Sequence, residues 1–203
     1  GRVVRPPYAG IDAGAFVGKS LRGVDASSVA HIPGIEKIVV IGDFIGIVAQ
    51  REEQAECALR ALKGDWAPVT PRPALDDLAQ ALSAHPSTPR VVEQHGDVDA
   101  ALAGAAVRYE REYVWPYQLH GSIGPSCAVA HWRGDRATVW AGTQNPHELR
   151  LDLAKLTGLA DTAIEVIRLE AAGCYGRNGA DDVAADALLL SRAVSAPVRV
   201  QLT

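Results

Sequence analysis

The sequence predicts an α/β (α+β) fold built in two blocks, and three observations predict it. Strand-like apolar runs and helix-period stripes follow one another along the 203 residues. Hydrophobic residues make up 48% of the chain, enough to bury a core. A stretch from Pro68 to Pro89, rich in Pro, Ala and Ser, interrupts the pattern and marks a linker. The expected division is residues 1–70 as a small α/β domain, 71–96 as the Pro-rich linker, and 97–203 as a second block.

Each element has a local reason. Gly1-Arg2-Val3-Val4-Arg5 reads as an opening strand. Asp25-Ala-Ser-Ser-Val-Ala30 predicts a short helix stopped by Pro33-Gly34. The β-rich runs Ile35–Ile41 and Phe44–Ala49 are joined by Gly42-Asp43, a hairpin signal. In Arg51–Lys63, Ala55, Ala58, Leu59 and Leu62 form one apolar stripe of a surface helix, which Gly64 is expected to end. Leu75, Leu78, Ala79 and Leu82 predict a short helix inside the linker.

In the second block Asp97 is the expected N-cap of a helix over Val98–Ala106, followed by a strand Val107–Trp115 with Val107, Tyr109, Tyr113 and Trp115 on one side. Cys127–Trp132 and Arg136–Ala141 flank Arg133-Gly134-Asp135 as a hairpin. Asn145 followed by Pro146 is a helix start, with the Asn side chain as capping acceptor, Leu149, Leu153 and Leu156 as the buried stripe, and Gly158 at the end. A strand Ile164–Leu169, a glycine-rich turn, a helix Asp181–Val194 and a strand Val198–Thr203 complete the pattern.

Composition excludes several classes. Twenty Lys and Arg against 24 Asp and Glu leave a net charge of -4, so no overall positive field draws in phosphate backbones, and no nucleic-acid partner is expected. Apolar stretches such as Ile38–Ile41 and Ala187–Leu190 fall far short of the ~20 residues that span a bilayer. Cys57, Cys127 and Cys174 show no CxxC spacing, and the histidines lack the pairing of metal ligands, so no protein-ligated metal is expected. The chain has no Met and ends on an uncapped β-type alternation, so it reads as a piece of a longer protein.

Two strand-to-helix loops can hold chemistry. In Gly173-Cys174-Tyr175-Gly176-Arg177-Asn178-Gly179, glycines at every third position let the backbone approach a ligand and turn its N–H groups toward it. That suits a phosphate, carboxylate or oxo group; the alternative is a plain turn using glycine for positive φ. The spacing matches neither dinucleotide nor nucleotide-hydrolase loops. Asp181 and Asp182 read equally as dipole complements of the helix that follows. In Gly142-Thr143-Gln144-Asn145, Gln144 can donate an amide N–H to an oxo or carbonyl oxygen; the alternative is a capping loop. If their strands are neighbours, the two loops form one polar cleft. His120, Ser122, Ser126 and Cys127 offer a histidine, two hydroxyls and a thiol, with Cys127 expected as a buried, inert strand residue. Cys174 has the better setting for a reactive thiol, before a helix start.

Together, Thr138-Val-Trp-Ala-Gly-Thr-Gln-Asn-Pro146, Ala172-Gly-Cys-Tyr-Gly-Arg-Asn-Gly179 and Pro197-Val-Arg-Val-Gln201 resemble the large subunit of the molybdenum hydroxylases, the xanthine dehydrogenase and aldehyde oxidase family. Gly1-Arg-Val-Val-Arg-Pro-Pro7, Ser122-Ile-Gly-Pro-Ser126 and Asn178-Gly-Ala-Asp-Asp-Val-Ala-Ala-Asp186 resemble one branch of it, the B-subunits of isoquinoline 1-oxidoreductase and nicotinate dehydrogenase. The resemblance implies a hammerhead-like domain over 1–70 and the first part of a molybdopterin-binding domain over 97–203. It implies a molybdenum-pterin cofactor in its cytosine dinucleotide form, shared with the rest of the parent protein. By position, Gln144 matches the glutamine that hydrogen-bonds an oxo ligand of the metal, and Gly173, Cys174, Tyr175 and Gly176 match the glycine-aromatic loop beside it.

The implied activity is hydroxylation of an N-heterocycle or oxidation of an aldehyde with water as oxygen source; the competing reading is a scaffold or assembly module that binds no cofactor. Gly179 stands where xanthine-type members carry a purine-contacting glutamate, which argues against purine oxidation. Gly124-Pro125 stands where many relatives have Glu-Pro, and the family's general-base glutamate is expected beyond Thr203. Implied partners are the remainder of the large subunit, an iron–sulfur small subunit and a cytochrome c. Placement in the bacterial periplasm or the cytoplasm stays open.

Overall fold

The computed structural model describes residues 1–6, 20–68, 76–116, 121–174 and 182–202. Its elements run β1 (Arg2–Val4), β2 (Leu21–Asp25), a 3-10 turn at Ala26–Val29, β3 (Ile35–Ile41), β4 (Phe44–Ala49), α1 (Glu52–Ala61) and β5 (Lys63–Trp66). There follow α2 (Leu78–Ala84), α3 (Val98–Gly104), β6 (Cys127–Trp132), β7 (Ala137–Ala141), α4 (Pro146–Thr157), a 3-10 turn at Asp161–Ala163, β8 (Ile164–Arg168), α5 (Asp182–Val194) and β9 (Val198–Gln201). The fold mixes helices and sheets, as the sequence predicts. The chain falls into two compact units, Gly1–Val69 with His120–Thr203, and Thr70–Leu119.

In the first unit the expected hairpin forms, with Ile41 opposite Phe44 across the two-residue Gly42-Asp43 turn. The Asp43 carboxylate accepts from the Ser20 N–H (3.0 Å) and the Leu21 N–H (2.8 Å), so the turn also fixes the start of β2. β1 pairs with the other edge of β4, giving the order β1-β4-β3. With neighbours on both edges, β4 buries Ile45 and Ile47 completely, and α1 lays Ala55 and Ala58 against this sheet. The N–H of Arg51 donates to Gln54 Oε1 (3.0 Å), half of a capping box, and Glu52 and Glu53 complement the helix dipole. Gly64 does not end α1. The helix stops at Ala61, Leu62 turns extended and buried, and Gly64 lies inside β5 opposite Val24 of β2. At the helix end the Leu62 N–H still donates to the Ala58 carbonyl (2.8 Å), and the chain passes directly into the β5 ladder with no left-handed cap.

A four-stranded sheet, β8-β7-β6-β9, forms the rest of this unit. β6 is antiparallel to both its neighbours, and β7 is parallel to β8. Its inner face carries Ala128, Ala130, Ala137, Val139, Ala141, Val198 and Val200, all buried. Ala184, Ala187, Leu188 and Leu190 of α5 join the same buried cluster. α5 is buried nearly all round because it packs on β6 and β9 and also on β4. A Cβ on Gly46 of β4 would come within 2.2 Å of Leu190 Cδ2, so glycine sets how close helix and strand lie. The buried Ser191 is paired in this core: its Oγ accepts from the Trp132 N–H (2.8 Å) and donates to the Ala196 carbonyl (2.7 Å). Arg5 binds the carboxylates of Asp186 (2.6 Å) and Asp182 (3.2 Å) at the start of α5.

Three local expectations change. Leu149 and Leu153 are buried, but Leu156 is 46% exposed and Thr157 takes the inward position, donating to the Leu153 carbonyl (2.7 Å). The Asn145 side chain makes no capping bond; its N–H instead donates to Thr143 Oγ1 (3.0 Å). In the second unit Asp77 and Asp97 cap α2 and α3 by accepting from Gln80 and Ala100 N–H groups, yet the expected strand Val107–Trp115 has no ladder partner among the described residues. Val107, Tyr109, Tyr113 and Trp115 are 65–82% exposed. A strand without a neighbour has nowhere to place its backbone hydrogen bonds except water.

Candidate functional site

Parallel pairing of β7 with β8 decides where the two candidate loops go. Ala141 stands opposite Arg168, and the Leu169 N–H donates to the Ala141 carbonyl (3.0 Å), so both strands release their chains from the same end of the sheet. Residues 142–145 leave β7 there for α4, and residues from 169 onward leave β8 there toward α5. Neighbouring strands thus bring the two loops together, the condition the sequence alone leaves open.

Within the first loop Thr143 is 1% exposed and its hydroxyl takes the Asn145 N–H, while Gln144 beside it is exposed and free to point outward. Arg168 Nε donates to the Thr143 carbonyl (3.1 Å), tying the end of β8 to this loop. Neither Thr143 nor Arg168 stands out in the sequence; Thr143 has only its place in the capping loop as a signal. In the second loop Gly173 and Cys174 are half-buried, and Gly173 has φ +103, a conformation that favours glycine. Tyr175 and Gly176 lie outside the described residues, as do Asp181 and His120. Asp182 opens α5 as an acidic first-turn residue and pairs with Arg5.

Between the loops and the start of β6 is a cavity of about 290 Å³ lined by residues 124–129, 140–142 and 169–172. Glu170 is its one charged lining residue among those described. Cys127, expected to be buried, is half-buried and lines this cavity, because β6 opens at its rim. Among the described residues no group of three or more His, Cys, Asp or Glu converges as metal ligands do, and no helix is long and apolar enough to cross a membrane. The site's resources are therefore an exposed amide, a glycine turn and backbone donors. Such a set holds a polar cofactor through directed hydrogen bonds.

A family described as the molybdopterin cofactor-binding domain matches residues 84–203. The chain belongs to this family of molybdenum hydroxylases. It is 60% identical over its whole length to the nicotinate dehydrogenase B-subunit of Pseudomonas putida, covering 17% of that protein. It is 32% identical over 160 residues, 77% of this chain and 21% of the relative, to the aldehyde oxidoreductase molybdenum-binding subunit PaoC of Escherichia coli K12. The chain therefore spans about a fifth or less of the length of these relatives. In structure it resembles the aldehyde oxidoreductase of Desulfovibrio gigas, with a TM-score of 0.73 over 90% of this chain and 25% of that one at 18% identity, a likeness of fold.

Gln144 stands exposed on the loop that leaves β7, and Gly173 lies on the loop that leaves β8 at the same end of the sheet. Neither lines the cavity, whose volume is near the lower limit for small-molecule sites, about 300 Å³. Among the described residues no cationic or amide side chain lines the cavity and Glu170 is acidic, so an anionic group would depend on backbone donors there and on the Gln144 amide outside the cavity.

Proposed function

We propose that this chain is the part of a molybdenum hydroxylase large subunit that holds one face of the cofactor, and that the parent enzyme hydroxylates an N-heterocycle or oxidises an aldehyde with water as oxygen source. The observation that carries this reading is the shared exit of the β7 and β8 loops, which puts Gln144 and Gly173-Cys174 at one end of one sheet. The similarity to the nicotinate dehydrogenase B-subunit supports the heterocycle within that choice. When bound, the cofactor supplies two-electron redox chemistry at molybdenum.

The chain's own residues bind and orient. Gln144 would hold the cofactor through its side-chain amide, and the second-loop residues Gly173, Cys174, Tyr175 and Gly176 would hold it through the loop backbone. Thr143 and Arg168 keep the Gln144 loop in place through the Asn145 N–H and the Thr143 carbonyl. We extend the proposal to the domain plan, with residues 1–70 hammerhead-like, 71–96 a linker and 97–203 the opening of the molybdopterin domain. The cofactor form is the cytosine dinucleotide. An iron–sulfur small subunit and a cytochrome c take the electrons.

Molybdenum and nucleotide analysis of the purified parent assembly tests the reading, expected to give one molybdenum per large subunit with CMP released on acid hydrolysis. An active assembly without molybdenum would support the scaffold reading instead.

A further inference from the structure

Ser122 has no role in the site as described so far, although the motif Ser122–Ser126 stands out in the sequence. In space it lies against the second loop, 51 residues further along the chain. Ser122 Oγ donates toward the Gly173 carbonyl (3.2 Å) and the Cys174 carbonyl (3.4 Å), one hydroxyl proton shared between two acceptors. Two residues on, a Cβ at Gly124 would sit 3.0 Å from the Cβ of Ala172, a contact that few real Cβ atoms make. Residues 124–129 and 169–172 then continue as opposite walls of the same cavity.

The direction of these contacts matters. In a trans peptide the carbonyl and the N–H of the same unit point opposite ways. The Gly173 carbonyl turned toward Ser122 therefore turns the N–H of its own peptide unit, that of Cys174, away from it. Gly173 itself has φ +103, a conformation that favours glycine, at the point where the Ser122 hydroxyl holds the turn.

We propose that Ser122 is a positioning residue for the cofactor loop, and that Gly124 and Ala172 are a size-matched pair that lets the clasp close. Ser122 touches no reacting atom. It holds the Gly173 and Cys174 carbonyls, which leaves the Cys174 N–H on the opposite side of the turn for the ligand. This rests on the reading that the loop holds the molybdenum-pterin cofactor, but the clasp itself can be measured without it.

The test uses the full-length parent enzyme, prepared with cofactor and, after growth without molybdate, without it. Three quantities are read: molybdenum and pterin per polypeptide, hydrogen exchange at residues 173–174 in the cofactor-free form, and melting temperature. Ser122→Ala is expected to speed exchange at 173–174 about tenfold and to lower cofactor content by a similar factor, with little change in melting temperature. Ser122→Thr, which keeps the hydroxyl, restores both. Gly124→Ala produces the same loosening, and Ala172→Gly rescues it in the Gly124→Ala background but not in the Ser122→Ala background.

Wild-type exchange and cofactor content in Ser122→Ala overturn the positioning role, and failure of Ala172→Gly to rescue Gly124→Ala overturns the matched pair. If the wild-type parent holds no pterin, the functional reading falls while the exchange measurements still decide the clasp.

Discussion

Gln144 and Thr143 sit side by side yet carry separable tasks. Thr143 is buried and its hydroxyl accepts the Asn145 N–H, whereas Gln144 is exposed and the loop does not depend on its side chain. Gln144→Leu in the parent enzyme should therefore keep the melting temperature and lose turnover per bound molybdenum. A hydrogen bond to a charged group contributes about 1.5–3 kcal/mol, which corresponds to roughly a ten- to hundred-fold loss. Unchanged turnover per metal would remove Gln144 from the site. Thr143→Val should do the reverse at the level of folding, lowering stability by about 1 kcal/mol through the unpaired Asn145 N–H, read as a shift in denaturation midpoint. The sequence singles out Gln144 because a whole motif frames it. The role of Thr143 and the partner of Ser122 are not readable there, since they depend on a backbone N–H set by the turn and on carbonyls at least 51 residues away.

α5 shows how an element acquires its surroundings from the topology. Its period was readable, but its burial on nearly every side follows from having the β6 and β9 sheet and β4 against it, and no local pattern encodes that. The end of α1 shows the complementary failure, because Gly64 has the chemistry of a cap while the β2 ladder claims it for a strand. Leu156 fails for a similar reason, since the stripe on α4 turns inward at Thr157 instead. Against β4, Gly46→Ala should force Leu190 aside and cost about 1–3 kcal/mol, and Leu190→Ala alone about 2–5 kcal/mol. Combined, they should cost less than the sum, because the smaller side chain makes the room that the new methyl needs, a coupling that equilibrium denaturation measures.

On α1, Glu52 receives bonds from the buried Arg2 of β1 (2.7 Å) and from Arg199 of β9 (3.1 Å), joining three elements. The Arg2 hydrogen bond, then the Arg199 charge, hold its carboxyl below the usual 4.5. Stability from this lowered pKa is present above that value and is lost as pH falls through the lowered one. The stability gap between wild type and Glu52→Gln should therefore be constant near neutral pH and close progressively under acid. A gap that does not change with pH would refute the linkage.

For the whole molecule, the outstanding mismatch is between pattern and partner. Val107, Tyr109, Tyr113 and Trp115 alternate as a strand face should, but among the described residues nothing pairs with them and all four are mostly exposed. Large exposed apolar runs are rare on finished surfaces and mark places where further protein packs. The Pseudomonas putida relative matches this chain along its full length but extends far beyond it, the chain covering 17% of that protein. In a parent of that length, residues 107–115 have several times as much polypeptide available to supply a neighbouring strand. The amides of 107–115 should then exchange quickly in the 203-residue chain and be protected at least about tenfold in the parent, the ladder bonds being the difference. Charged substitution tests the same idea from the side-chain end. Tyr113→Asp should leave the stability of the 203-residue chain within about 0.5 kcal/mol, as for an exposed position, and destabilise the parent by several times that amount, as for a buried one. Equal exchange and equal cost in both proteins would mean that the segment is a solvated connector whose alternation carries no strand.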